Sequence, residues 1–315
     1  MNIFNKKQNI DSNEDSIATG VAKEFLKEQR RSRRWGIFFK LLFFAYITLF
    51  IVFYGYENLS PSHFSDQKHT ALIEIDGIIS TETEANADFI ISSLKNAFEN
   101  NNTSGIILRI NSPGGSPVQA GYINDEINRL KKLNPDIPVY AVITDLCASG
   151  GYYIAVAADK IFANKASIIG SIGVIISGFG FVDAIEKLGI ERRILHSGDH
   201  KALMDPFSPL DFYEETHMQE LLDEIHQQFI SIVKSGRGDV LEDNEEIFSG
   251  LVWSGQRSLE LGLIDDLASV NEIARDIIGT EYIINFTTRE NYFDRFAKQV
   301  GTSIFQYINQ PVIGE

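Results

Sequence analysis

Apolar positions along this chain fall into distinct patterns. Between Gly36 and Tyr56 they run almost unbroken, with Lys40 and Thr48 as the polar exceptions. From Thr70 onward, short apolar runs alternate with stretches in which apolar residues recur every three or four positions. The unbroken run predicts one long apolar helix, and the alternation predicts an α/β domain with a mainly parallel sheet flanked by helices. The short runs place strands at Ala71–Ile75, Gly105–Ile110, Pro138–Ile143, Lys160–Ala163, Gly173–Ile176 and Glu191–Leu195. The periodic stretches place helices at Glu84–Asn100, Pro117–Lys132, Ser149–Ala158, Val182–Leu188 and Leu210–Ser235. In the last of these, Met218, Leu221, Leu222, Ile225, Phe229, Ile232 and Val233 share one face, while Glu214, Glu220, Asp223 and Glu224 take the other. That is the pattern of a helix packed on a core.

About twenty apolar residues at ~1.5 Å rise cross the ~30 Å hydrocarbon layer of a bilayer, so residues 35–56 are expected to form a transmembrane anchor. Trp35, Tyr54 and Tyr56 suit the two interfaces, and Lys40 can extend its ammonium to the headgroups. Arg30, Arg31, Arg33 and Arg34 precede the run, which keeps that side cytoplasmic and sends the following domain across the membrane. No small-x-small cleavage site follows Tyr56, and the run is longer than a signal-peptide core, so the anchor is read as uncleaved. The resulting organisation is a polar cytoplasmic arm (1–34), the anchor (35–56), a linker (57–69), one folded domain (70–288) and a C-terminal amphipathic helix (289–315). That last helix carries Tyr292, Phe293, Phe296, Val300, Ile304, Tyr307 and Ile308 at helical spacing, suited to its own domain, a neighbouring copy or the bilayer.

Charge narrows the functional classes. The formal net charge is −15, and the first forty residues hold nine Lys or Arg against five Asp or Glu, leaving 19 basic and 38 acidic residues beyond them. A remainder at −19 repels phosphate backbones, so no nucleic-acid partner is expected. Cys147 is the sole cysteine, which excludes an internal disulfide and any site built on several thiolates; the six histidines show no metal-ligand spacing. No metal and no cofactor are expected.

Four stretches have the chemistry of a site. Asn111-Ser112-Pro113-Gly114-Gly115-Ser116 ends an apolar strand with paired glycines that let main-chain amides face a ligand. Asp145-Leu146-Cys147-Ala148-Ser149-Gly150-Gly151-Tyr152-Tyr153 follows another strand and opens a helix, which places Ser149 at the positive end of a helix dipole. Taken alone, Ser149 reads equally as a helix N-cap. Ser167-Ile168-Ile169-Gly170-Ser171-Ile172-Gly173 is Gly- and Ile-rich with Ser171 as a polar exception. Finally, His196-Ser197-Gly198-Asp199-His200-Lys201-Ala202-Leu203-Met204 sets Lys201 before apolar residues, where desolvation makes a lysine amine a base; most lysines are simply solvated.

The order of these stretches resembles the signal peptide peptidase A family, within the Clp protease and crotonase superfamily. An anchor, Ser-Pro-Gly-Gly after a strand, Ala-Ser-Gly-Gly-Tyr-Tyr, Gly-Ser-Ile-Gly-Val and Ser-Gly-x-x-Lys occur in sequence. A closing segment of Val252-Trp253-Ser254-Gly255-Gln256 and Leu261-Gly262-Leu263-Ile264-Asp265 completes the match. The resemblance implies a Clp protease/crotonase-like domain and a serine endopeptidase with Ser149 as nucleophile, Lys201 as general base and Ser171 orienting the lysine amine. The amides of Gly114 or Gly115, with that of Gly150, would form the oxyanion hole. It further implies peptide substrates such as cleaved signal peptides or membrane-associated polypeptides, a bacterial inner membrane location with the catalytic domain periplasmic or extracytoplasmic, and a homo-oligomeric ring in which Ser149 of one copy meets Lys201 of the next. In this family the lysine usually follows Tyr; here His200 precedes it, which keeps a Ser–His pairing open. Cys147 is read as a buried inert thiol. A catalytically silent peptide-binding scaffold of the same fold is the alternative, and an acyl-CoA enzyme fits the anchored acidic domain poorly.

Overall fold

The computed structural model describes residues 27–50, 52 and 67–289. The chain divides into two units, one up to Phe64 and one from Ser65. In the first, residues 27–50 form a single helix, α1. Its large apolar side chains stand open to solvent, Leu41 at 65% and Phe44 at 64% exposure. Among the described residues no helix is long and apolar enough to cross a membrane. The end of the expected anchor (51 and 53–56), the arm as far as residue 26, linker residues 57–66 and C-terminal residues 290–315 lie outside the described residues.

The second unit is an α/β domain, as the alternation predicts. Its sheet contains β1 (His69–Asp76), β2 (Thr103–Ser112), β3 (Val139–Ala148), β4 (Lys160–Ala163), β5 (Ile168–Gly170), β6 (Val252–Ser254), β7 (Asp266–Leu267) and β8 (Ile283–Asn285). The main path runs β6-β5-β3-β2-β1-β8, with β4 and β7 branching from β3. Every pairing is parallel except β5 with β6. The flanking helices are α2 (Ala87–Glu99), α3 (Pro117–Leu133), α4 (Gly150–Ala155), α5 (Val182–Lys187), α6 (Phe212–Arg237), α7 (Gly255–Glu260) and α8 (Val270–Glu272), which runs on through a wider turn at Ile273–Ile278.

Strand alternation sorts the core into two layers. Ala71, Ile73 and Ile75 with Ile106, Leu108 and Ile110 meet Ile90, Leu94, Ile123, Ile127, Phe229 and Val233 of α2, α3 and α6. On the other face Leu72, Ile107, Val142 and Phe162 meet Ile273 and Ala274. Because both faces are covered, the central strands read as continuous apolar runs. Local signals set the helix starts: Asn86 caps α2, Ser116 followed by Pro117 caps α3, and Asp211 accepts from the amides of Tyr213 and Glu214 to cap α6.

Two features of this frame position the site. Strand β3 changes partner along its length: Tyr140–Ile143 pair with β4, while Leu146–Ala148 pair with β5. The β2 register shifts between Ile110 and Ser112 at the same level, and the end of β3, still paired to β2 at Cys147, exchanges β4 for β5 as its other neighbour and sets Ala148 beside Gly170. Helix α4, which follows, is pinned by the buried Tyr152 hydroxyl donating to the Leu263 carbonyl at 2.7 Å.

Two expected strands do not form. Gly173–Ile176 and Glu191–Leu195 carry strand-like composition but find no pairing strand among the described residues, and the sheet takes β5, β6, β7 and β8 in short pieces that composition leaves too brief to read. A strand is defined by its partner, which local sequence does not name.

Helix α6 is tied to the closing segment by Arg237, whose guanidinium is almost wholly buried. It donates to the Gly262 carbonyl at 2.8 Å and to both Asp265 oxygens at 2.8 and 3.1 Å, and Asp265 also accepts from the Ile161 amide at 2.7 Å. Removing one member of a buried ion pair strands the other charge. Asp265→Ala is therefore expected to cost about 3–5 kcal/mol in a urea melt, whereas Asp266→Ala on the exposed neighbour stays within about 0.5 kcal/mol of wild type.

Candidate active site

Ser149 follows the last residue of β3 and precedes α4. Its backbone sits at φ 51, ψ −122, a region that residues bearing a Cβ rarely occupy. A helix N-cap is extended and accepts a hydrogen bond from the first turn; the Ser149 side chain makes no capping bond. The capping explanation for this serine therefore fails, and its half-buried hydroxyl has no hydrogen-bond partner among the described residues. Its own amide is held by the Gly170 carbonyl at 2.9 Å, and its carbonyl accepts from Tyr153 to start the helix.

The glycine loop after β2 lies directly against it. A Cβ on Gly114 (φ +99) would stand 2.7 Å from the Ser149 Cβ and 2.8 Å from the Gly150 nitrogen. A Cβ on Gly115 (φ +149) would stand 2.1 Å from the Ile79 carbonyl oxygen. Both positions require glycine for approach as well as for φ. The loop is bracketed by Ile79, whose amide donates to Gly114 O and whose carbonyl accepts from Ser116 N. The Gly114 amide is consumed by Ser112 Oγ at 3.1 Å. Among the described residues the amides of Gly115 and Gly150 have no acceptor. The Gly115 nitrogen lies 3.3 Å from where a Gly150 Cβ would stand, so the two free donors are neighbours beside Ser149.

Ser171 adjoins the residue that holds the Ser149 amide. It follows Gly170, the register partner of Ala148, at φ 50, with its amide bonded to the Leu251 carbonyl at 2.7 Å. Beside Ser149 opens a cavity of about 170 Å³ walled by Tyr153, Val174, Ile175, Ile225, Gln228 and Phe229. That is below the ~300–1,000 Å³ of sites for whole small molecules, so it accommodates one side chain. The walls from α6 belong to the face that periodicity assigns to core packing; Gln228 carries no sequence signal. Cys147 is fully buried, and burial pushes its thiol well up, which disfavours a thiolate nucleophile.

Lys201 is not brought to this cluster within one chain. It is exposed, in a turn closed by its amide on the Gly198 carbonyl, and it does not line the cavity. His200 is turned to α6, its Nδ1 3.2 Å from Glu214 Oε1 and its ring 4.9 Å from that of Tyr213. Both residues lie on the stretch between residues 173 and 212, in which α5 is the sole regular element. Ile175, Phe179, Leu195 and Phe212 stand open there at 82%, 81%, 103% and 81% exposure.

The profile of peptidase family S49 matches residues 131–278, a span that contains Ser149, Ser171 and Lys201. A protein of Synechocystis sp. named as a protease is 35% identical over 66% of this chain and 73% of its own length. The chain belongs to peptidase family S49. A protein of Enterococcus faecium named as a signal peptide peptidase SppA is 31% identical over 69% of this chain and 65% of its own length. A Brucella abortus protein named as the Na(+)/H(+) antiporter NhaA is 40% identical over 59% of this chain. The chain spans a quarter of that protein's length and just under two thirds of the Enterococcus one.

The backbone strain at Ser149 has a measurable consequence. Such a conformation costs ~1–3 kcal/mol, and a glycine there relieves it at ~0.5–1 kcal/mol of extra chain entropy. Ser149→Gly is expected to remove reactivity toward a fluorophosphonate while raising stability by about 1 kcal/mol. A drop in the urea midpoint would mean that the turn is not strained.

Proposed function

We propose that the chain is a membrane-anchored endopeptidase that works through a Ser149–Lys201 dyad completed between two copies. The observation that carries the reading is the uncapped, left-handed Ser149 facing the free amides of Gly115 and Gly150. In this scheme Ser149 Oγ attacks a substrate carbonyl and gives its proton to the neutral Lys201 amine of a neighbouring copy. The developing oxyanion is held by the Gly115 and Gly150 amides; each such donor contributes about 10²–10³ in rate. Gly114 supplies room, not a donor. The Lys201 ammonium returns the proton to the leaving amine, and water then releases the acyl group from Ser149. Ser171, next to the Gly170 carbonyl that fixes Ser149, orients the arriving amine.

The stretch between residues 173 and 212 supports assembly with identical copies. It carries the exposed Lys201 and leaves Ile175, Phe179, Leu195 and Phe212 open, and in this reading these side chains bury apolar area against a second copy. The open apolar side chains of α1, preceded by Arg30, Arg31, Arg33 and Arg34, support an anchor completed by residues 51–56. An enzyme held at the bilayer meets membrane-released peptides, and the relative named as a signal peptide peptidase makes cleaved signal peptides the leading substrate class. The cavity of about 170 Å³ fits a small or medium apolar residue on the acyl side of the cut bond.

Ser149→Ala and Lys201→Ala are each expected to lower peptide hydrolysis by at least about 10³-fold with the fold retained. Co-expressed, the two variants regain about a quarter of wild-type activity, because one interface in four pairs an intact serine with an intact lysine. No recovery would place both groups in one copy; full activity of Lys201→Ala would remove the lysine from the mechanism. A Ser149 inert to fluorophosphonate in the folded wild type would favour a silent peptide-binding scaffold. Substrate size offers a separate check. Ile225→Ala, which widens the cavity from a half-buried position, is expected to shift kcat/KM toward Phe at the cleavage site by about 10-fold.

A further inference from the structure

We infer that Ser112 is a positioning residue for the oxyanion hole, selecting which amide of the glycine loop faces the reacting carbonyl. The inference rests on the serine-protease reading of Ser149. Proline at position 113 has no N–H, so the loop between Ser112 and Ser116 offers two amides, those of Gly114 and Gly115. Two glycines in succession at positive φ leave both the Pro113–Gly114 and the Gly114–Gly115 peptide units free to rotate, and nothing in their covalent structure decides which N–H turns to Ser149.

Ser112 makes that decision. Its side chain is fully buried, and its Oγ accepts the Gly114 amide at 3.1 Å. Burying a hydroxyl in an apolar core is unfavourable unless it makes such a bond. With Gly114 N–H turned inward, the Gly114 carbonyl receives the Ile79 amide at 2.9 Å, and Gly115 N–H is left as the free donor. The other side-chain bonds at this turn belong to helix starts: Ser116 Oγ accepts Gln119 N, and Gln119 Oε1 accepts Ala87 N. Ser112 also touches the second donor's helix. A Cβ on Gly151 would stand 3.2 Å from the Ser112 carbonyl oxygen and 3.3 Å from its Cβ. One buried serine thus underlies both the Gly115 loop and the start of α4.

The role separates from plain packing by its kinetic signature. An oxyanion donor acts in the transition state, so its misplacement lowers kcat and leaves KM in place. For Ser112→Ala in the full-length protein we expect kcat lower by about 10- to 100-fold, KM within about twofold, and an unchanged ranking of substrates. A peptide aldehyde, whose adduct places an oxyanion in the hole, is expected to lose affinity by a similar factor. Ser112→Cys keeps the site filled with a weaker acceptor and is expected to fall between the two; it replaces the alanine variant should that one not fold. Ser112→Ala or Ser112→Cys with wild-type kcat and aldehyde affinity would overturn the role of Ser112 while leaving the protease reading intact. A folded wild type that neither hydrolyses peptides nor reacts with fluorophosphonate would overturn both.

Discussion

The site depends on one close approach between two main-chain segments. Gly114 and Ser149 come from the ends of neighbouring parallel strands, and a methyl group on Gly114 would collide with the Ser149 Cβ at 2.7 Å. At that separation a side chain is excluded on one strand, and a left-handed turn is imposed on the other. Strain at Ser149 and φ +99 at Gly114 are two sides of the same contact. What the contact yields is a hydroxyl and two unbonded amides within one small volume, a combination that ordinary helix capping would have consumed.

Part of what holds this contact is remote from the chemistry. The change of partner along β3 aims Ala148 at β5, and the Gly170 carbonyl then fixes the Ser149 amide. Tyr152 fastens α4 to Leu263, and Arg237 fastens α6 to Gly262 and Asp265. The closing segment is therefore structural support for the nucleophile's helix and for the cavity wall that α6 supplies.

How far the sequence foretells this varies with the kind of information. The central strands and the helices α2, α3 and α6 were legible because burial on both faces makes unbroken apolar runs, and packing on one face makes a 3.6-residue period. Ser149 was legible only through the order of several motifs, since a serine before a helix is usually a cap. Which glycine amide is free was not legible, because it depends on Ser112 turning inward and on Ile79, a residue in a loop with no motif of its own. Gln228 at the cavity likewise carries no pattern. The strands expected at Gly173–Ile176 and Glu191–Leu195 failed for a related reason: among the described residues neither has a pairing strand, and composition alone does not name one.

The unpaired segment and the exposed lysine that it carries have one cause under the proposed assembly. A base that reaches the nucleophile only across an interface ties reactivity to association: the isolated copy holds a strained serine and two free donors but no group to take the proton. The exposure of Ile175, Phe179, Leu195 and Phe212 then serves the same end as the placement of Lys201, because the apolar area that drives copies together lies on the segment that delivers the amine. Ile175 is also a wall of the cavity beside Ser149. A surface that ordered this segment would therefore shape the substrate pocket and complete the dyad in a single step, so the two properties should be lost together when association is weakened.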